Sequence, residues 1–188
     1  MKKIIAFLLC TVMALSLFGC GKEKLEDGTV YYADIVIADY GTITVKLDQQ
    51  AAPITVENFV NLAQSGFYDG LTFHRIIVGF MMQGGASENP PPSIVGEFSS
   101  NGHENPLKHT RGAISMARTN VPDSASSQFF IVHQDSPHLD GKYACFGYVT
   151  EGIEVVDAVC EGAQPTDGNG SIAEVDQPVI TSVTIRTA

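Results

Sequence analysis

The chain has 188 residues, the length of about one domain, and its 44% hydrophobic and 17% charged residues are typical of a globular protein. Its 11 basic and 21 acidic residues give a net charge of −10, which argues against nucleic-acid binding and against a polybasic membrane-binding surface. Four cysteines are too few for a disulfide scaffold.

The N-terminus has the features of an export signal. Two lysines precede an apolar run of 15 residues, Ile4–Phe18, whereas a membrane-spanning helix needs about 20 residues. The run ends in Leu-Phe-Gly-Cys at residues 17–20, which resembles the lipobox of bacterial lipoproteins. This resemblance implies a signal peptide over residues 1–19 and acylation of Cys20, the first residue of the mature chain.

The segment after the lipobox is polar, and we predict a tether over residues 20–29. Since two acyl chains hold a protein stably on a membrane, we expect an extracytoplasmic protein that is lipid-anchored to the cell membrane. An uncleaved N-terminal anchor is the alternative to acylation.

The chain after the tether begins with two predicted strands and a helix. We expect strands over Tyr32–Ala38 and Gly41–Asp48, because apolar and polar residues alternate along the second of them. Pro53 suits the first turn of a helix, whose apolar residues recur at helical spacing until Gly66 ends it.

The rest of the chain predicts mostly β-structure. Residues 86–111 lack periodicity and contain three consecutive prolines, so we expect a long loop there. A second short helix is expected over residues 153–160. Further strands are expected over Leu71–Val78, Phe80–Gln83, Ala113–Ala117, Gln128–His133, Tyr143–Val149 and Val179–Thr187. About eight short strands in one domain predict a barrel or a sandwich.

Three sequence motifs carry a family resemblance. Residues 73–85 read Phe-His-Arg-Ile-Ile-Val-Gly-Phe-Met-Met-Gln-Gly-Gly. Residues 115–118 read Ser-Met-Ala-Arg and residues 127–131 Ser-Gln-Phe-Phe-Ile. Residues 139–147 read Leu-Asp-Gly-Lys-Tyr-Ala-Cys-Phe-Gly. In this order and spacing the motifs resemble the cyclophilin family of peptidyl-prolyl cis-trans isomerases over residues 30–187.

The resemblance implies a mainly β fold: a closed eight-stranded antiparallel barrel capped by two α-helices, formed by residues 30–188. It also implies that the substrate groove lies on the outer face of the barrel, because side chains fill the interior of so small a barrel. The implied activity is rotation about Xaa-Pro peptide bonds, which assists the folding of exported or surface proteins.

Arg75 is the predicted catalytic residue. Rotation about an Xaa-Pro bond breaks amide resonance, against a barrier of about 18–20 kcal/mol. In the twisted state the prolyl nitrogen regains a lone pair, so a nearby donor stabilises that state more than the planar one. Arginine is always charged and carries five donors, and the resemblance assigns the catalytic role to the arginine at this place.

The resemblance also assigns a set of groove residues. Phe80, Met81, Phe130 and Leu139 would line a pocket for the proline ring. Gln83 would bond the substrate backbone, Gln128 would orient the arginine, and the backbone around Ala117 and Asn120 would pair with the bound peptide. The remaining predicted groove residues are His74, Tyr143 and His138, which stands where many members carry tryptophan.

Other chemistries lack a motif. The five histidines show no HExxH or other metal-ligand spacing, and no serine stands in a Gly-x-Ser-x-Gly sequence, so we predict neither a metal site nor a cofactor. The expected partners are proline-containing polypeptides and, through the lipid anchor, the membrane, with no nucleic acid and a monomeric state. The alternative function is a proline-peptide binding module or holdase chaperone with incidental catalysis.

The two cysteines of the predicted domain are expected to be free thiols. Cys145 belongs to a predicted strand and is expected in the core. Cys160 ends the second predicted helix, where the family resemblance implies a surface residue.

Overall fold

Eight strands and two helices form from the apolar patterns described above. The computed structural model describes residues 24–188, and the predicted signal peptide and Cys20 lie outside these residues. The helices are α1 (Pro53–Gln64) and α2 (Ile153–Gly162). The strands are β1 (Tyr31–Ile37), β2 (Gly41–Leu47), β3 (Phe73–Ile77), β4 (Met81–Gly84), β5 (Ala113–Met116), β6 (Phe129–Val132), β7 (Cys145–Glu151) and β8 (Ile180–Thr187).

The strands form one antiparallel sheet in the order β3-β4-β6-β5-β7-β2-β1-β8. The sheet curls until its two end strands meet at a short seam. There the Phe73 amide donates to the Pro178 carbonyl at 2.9 Å and the Ile180 amide donates to the Leu71 carbonyl at 2.7 Å. The predicted fold class is therefore confirmed, with the difference that the seam joins a few residues rather than two whole strands.

The interior of the curled sheet is filled by aromatic and aliphatic side chains. Phe129 is fully buried and makes edge-to-face contacts with Phe59, Tyr68 and Phe73, with ring centroids 5.5–5.9 Å apart. Because successive residues of a strand point to opposite faces, the neighbouring Phe130 belongs to a second apolar cluster outside this core. That second cluster forms the floor of the candidate site.

A buried carboxylate holds the start of α1. The residue before the helix, Ala52, has no side chain that could cap it. Glu97 is 3% exposed and comes from the long loop instead. Its carboxylate accepts hydrogen bonds from the Ile54 amide at 3.0 Å and from both the amide and the hydroxyl of Thr55 at 2.7 Å. Two of these bonds come from amides that lack partners inside the helix.

The packed domain begins earlier than the sequence predicts. Leu25 lies within the predicted tether, yet its side chain is buried in the core, and the Glu26 amide donates to the Tyr31 hydroxyl at 3.1 Å. Packing against the barrel removes the apolar Leu25 side chain from water, which is favourable. Within residues 24–188, no helix has the length and apolar character that crossing a membrane requires.

Both cysteines of the domain are free, as predicted. The expectation of a surface position for Cys160 is wrong, because α2 turns this residue into the core, where it is fully buried. Burial raises the pKa of each thiol, Cys145 and Cys160, to about 12. Both thiols are therefore protonated and unreactive at neutral pH.

Candidate active site

A pocket of about 220 Å³ lies on the outer face of β3, β4 and β6, over the second apolar cluster. It brings together residues that are far apart in the chain. Its lining consists of Arg75, Phe80, Met81, Gln83, Ala117, Arg118, Phe130, Leu139 and Tyr143. A larger hollow of about 690 Å³ lies beside residues 27–30 and contains none of the predicted site residues.

An irregularity in the sheet turns Arg75 towards this pocket. Regular alternation would place Phe73 and Arg75 on the same face, but the register of β3 against β4 shifts between them. Phe73 therefore packs in the core while Arg75 reaches the outer face. Bulges of this kind commonly redirect a side chain next to a functional site.

The Arg75 guanidinium is held on two sides. Its Nε donates to the Asn169 carbonyl at 2.8 Å, and its Nη1 lies 3.3 Å from Gln83 Oε1 and 3.8 Å from Met81 Sδ. Within residues 24–188, no protein group accepts a hydrogen bond from Nη2. The side chain is thus fixed in direction while two of its donors are left for a bound molecule.

The loop over residues 166–171 positions the Asn169 carbonyl. Asp167 Oδ1 accepts hydrogen bonds from the amides of Asn169 and Ser171, and Oδ2 accepts one from the Ser171 hydroxyl, all at 2.9–3.0 Å. The bonds from Ser171 hold the pKa of this exposed carboxyl below its ordinary value. Gly170 has φ +84°, and a Cβ there would lie 2.6 Å from the Ile76 carbonyl oxygen, so only glycine fits.

Two glutamines continue the network away from Arg75. Gln83 Nε2 donates to Gln128 Oε1 at 2.9 Å, while Gln83 Oε1 faces the guanidinium. Gln83 therefore orients the arginine directly, and Gln128 does so one step further back. The resemblance assigns the orienting role to Gln128, whereas in the structure Gln83 contacts Arg75 and Gln128 acts through Gln83.

Aromatic rings form the walls of the pocket. The Phe80 ring lies against the His138 ring with centroids 5.4 Å apart, and Tyr143 meets Phe130 edge-to-face at 5.9 Å. Behind Phe130 lies the buried His109 ring at 6.0 Å, close to parallel with it. Burial lowers the pKa of His109 despite its bond to Asp140. A neutral ring thus supports the apolar floor.

The remaining predicted residues lie beside the pocket rather than in it. Gln128 lines an adjoining hollow that shares Gln83, Ala117 and Arg118 with the first. Asn120 is exposed and lines neither hollow. His74 is half-buried, and burial together with the neighbouring Arg75 lowers its pKa, so the ring is neutral at pH 7.

The Ala117 amide is not available to a peptide. It already donates to the Gln128 carbonyl at 2.9 Å. Any pairing of a bound chain with this residue must therefore use the Ala117 carbonyl alone.

Arg118 is a pocket residue that the sequence analysis does not predict. Its guanidinium carbon lies 4.7 Å from the centroid of the Tyr143 ring and 4.9 Å from that of Phe98, and its donors are bonded to the Lys142 and Thr119 carbonyls. The residue stands inside the second motif, but nothing in the motif indicates which way its side chain turns.

Comparison with known proteins gives one consistent family. The family described as "Cyclophilin type peptidyl-prolyl cis-trans isomerase/CLD" matches residues 32–187. Peptidyl-prolyl cis-trans isomerase A of Dickeya dadantii is 40% identical over 167 residues, 86% of each chain. Peptidyl-prolyl cis-trans isomerase B of Escherichia coli K12 is 37% identical over 156 residues, 78% of this chain and 95% of its own.

Solved structures agree with the sequence comparison. A cyclophilin type peptidyl-prolyl cis-trans isomerase from Cryptosporidium parvum superposes with a TM-score of 0.73 at 27% identity, over 85% of this chain and 99% of its own. The sheet order, the three motifs and these relatives lead to the same result. The chain belongs to the cyclophilin-type peptidyl-prolyl cis-trans isomerases.

Proposed function

We propose that the pocket receives the proline ring of an Xaa-Pro peptide and that Arg75 acts on the prolyl nitrogen. The observation that carries the proposal is the free Nη2 of Arg75 at the rim of an apolar pocket. The Cryptosporidium relative, solved also in the presence of the dipeptide Ala-Pro, supports a proline-containing ligand.

The proposed chemistry needs no covalent intermediate. Phe80, Met81 and Phe130 bind the ring while the preceding carbonyl rotates. As the amide twists, its nitrogen gains a lone pair, and Arg75 Nη2 donates a hydrogen bond to it. In the planar state this nitrogen offers no lone pair, so the bond stabilises the twisted state selectively.

A rate measurement with a short Xaa-Pro peptide tests this proposal. We expect the purified protein to accelerate cis-to-trans conversion catalytically, at enzyme concentrations far below that of the peptide. The competing function, a binding module or holdase, predicts saturable peptide binding with no acceleration at such concentrations.

Asp167→Ala should lower kcat/KM by roughly tenfold, because loss of its three hydrogen bonds loosens the loop that fixes Arg75 Nε, and small displacements of a catalytic group are costly. The matched control is Asp176→Ala, which removes the same charge from an exposed residue whose carboxylate makes no hydrogen bond within residues 24–188. Steady-state kinetics on both variants test this prediction. Equal kcat/KM values for the two variants would show that the loop does not position Arg75.

We further propose that the protein acts outside the cytoplasm on exported polypeptides, attached to the membrane through acylated Cys20. The lipobox-like sequence and the short apolar run support this placement.

Cys20→Ala should abolish metabolic labelling with radioactive palmitate and leave the precursor unprocessed. Cys10→Ala, which removes a cysteine inside the apolar run, should leave labelling intact, and labelling that survives Cys20→Ala would contradict the proposal.

A further inference from the structure

The turn between β3 and β4 carries Phe80 into the pocket. The Phe80 amide donates to the Ile77 carbonyl at 3.0 Å, which closes a four-residue turn, and Gly79, its third residue, takes the positive φ of +79° that a type II turn requires. The turn itself is exposed at Val78 and Gly79. Besides its own hydrogen bond, the turn is held by hydrogen bonds to the segment that follows β6.

A buried histidine supplies those contacts. His133 follows β6 and is 4% exposed. Its backbone amide donates to the Phe80 carbonyl at 2.9 Å, and its Nδ1 lies 3.0 Å from the Gly79 amide. Since an amide can only donate, Nδ1 must be the unprotonated acceptor, and the ring proton is on Nε2. His133 thus joins the pocket-bearing turn to the body of the sheet.

The other side of the His133 ring faces α2. Nε2 lies 3.3 Å from Asp157 Oδ1, and Asp157 also pairs with both terminal nitrogens of Arg111 at 2.6–2.7 Å. Cys160 and Glu161 lie further along α2 and interact electrostatically with Arg111. The β3–β4 turn contacts the ring through the Gly79 backbone amide.

Protonation of His133 would remove the acceptor from the turn. A doubly protonated imidazole carries N–H groups on both nitrogens, so Nδ1 would oppose the Gly79 amide instead of accepting its hydrogen bond. The new charge would be drawn towards Asp157, while the Gly79 amide would lose its partner. Histidine is the side chain whose charge ordinarily changes between about pH 5 and 8.

We propose that His133 is a positioning residue that makes peptide binding sensitive to pH: the neutral ring fixes the turn that presents Phe80, and the protonated ring releases it. The proposal rests on the pocket assigned above, because Phe80 must contact the proline for the turn to matter. The proposal predicts weaker peptide binding in acid, with little change in the rate at which the bound peptide isomerises. Arg75 is held by contacts that do not involve His133, and it keeps its charge.

His133→Asn is the decisive variant. Asparagine Oδ1 and histidine Nδ1 are both bonded to Cγ, so the amide oxygen keeps an acceptor near the Gly79 amide without a titratable proton. His133→Leu removes the acceptor at every pH. Since a neutral hydrogen bond contributes a factor of about 2–10, KM for an Xaa-Pro peptide should rise about 3–10-fold between pH 8 and pH 5 in the wild type.

In His133→Asn we expect the pH 8 value of KM to persist at pH 5. In His133→Leu, KM should be raised already at pH 8. Phe80→Ala serves as the reference for the pocket and should raise KM at both pH values. Because His138 also lies against Phe80, an acid-induced rise that survives in His133→Asn would overturn the proposal, as would a wild-type KM that does not depend on pH.

A spectroscopic measurement on the same proteins does not depend on turnover. Between pH 8 and pH 5 the amide resonance of Gly79 should shift, and the protection of this amide against hydrogen exchange, measured relative to an unstructured amide at the same pH, should fall in the wild type but not in His133→Asn. If the Gly79 amide does not respond to pH while Phe80→Ala raises KM, the proposed role of His133 is wrong and the pocket assignment stands. An unchanged KM in Phe80→Ala would instead overturn the pocket assignment and this proposal with it.

Discussion

Arg75→Ala should lower kcat/KM on an Xaa-Pro peptide by two orders of magnitude or more, which corresponds to about 2.7 kcal/mol of lost transition-state stabilisation. The variant should fold normally, because the guanidinium is half-exposed and bonded to one backbone carbonyl, one amide oxygen and one thioether. Kinetic assays that use no coupling protease measure the loss of activity, and circular dichroism shows whether the variant still folds.

Two further variants sharpen this test. Arg75→Lys keeps the charge but cannot reach the Asn169 carbonyl and the prolyl nitrogen at once with its single nitrogen, so it should recover only a small part of the activity. Arg186→Ala removes an arginine that contacts Asp34 and the Tyr32 ring and does not line the pocket, and it should be fully active. If Arg75→Ala keeps more than about a third of the activity, the mechanism proposed above is wrong.

Glu97→Ala should lower the free energy of unfolding by about 3 kcal/mol or more, since the carboxylate accepts three hydrogen bonds in a buried place and bonds to charged groups contribute about 1.5–3 kcal/mol each. Its removal leaves two amides and one hydroxyl of α1 without partners. For a domain of this size the melting temperature should fall by roughly 6–12 °C.

The matched control for Glu97→Ala is Glu88→Ala, which makes the same substitution at an exposed position of the same long loop. Its melting temperature should stay within about 1–2 °C of the wild type, because surface substitutions usually change stability by less than about 0.5 kcal/mol. Equal melting temperatures for the two variants would show that the buried carboxylate does not stabilise α1.

Local patterns predict the elements of this fold well. Alternation in β2 and the helical spacing after Pro53 place both elements within two residues of their observed bounds. The motif over residues 73–85 contains Arg75, Phe80, Met81 and Gln83, and these residues line one pocket because a tight turn joins β3 and β4.

Contacts between distant segments escape such patterns. Glu97 and Thr55 are 42 positions apart, and Arg75 and Asn169 are 94 apart. Neither Glu97 nor Asp167 stands in a motif, and strict alternation would turn Arg75 inwards with Phe73. The bulge, the distant helix cap and the loop that holds the arginine follow from how the sheet closes, which depends on the whole chain at once.

The filled interior of the curled sheet has a consequence for which prolines the enzyme can reach. With Phe129 and its aromatic neighbours occupying the centre, a chain bound in the proposed pocket would lie across the outer surface over Phe130. A chain laid across a surface needs no free end and passes through no opening. Prolines in the middle of a long client, including those in loops between segments that have already folded, are therefore as accessible in principle as prolines near its termini.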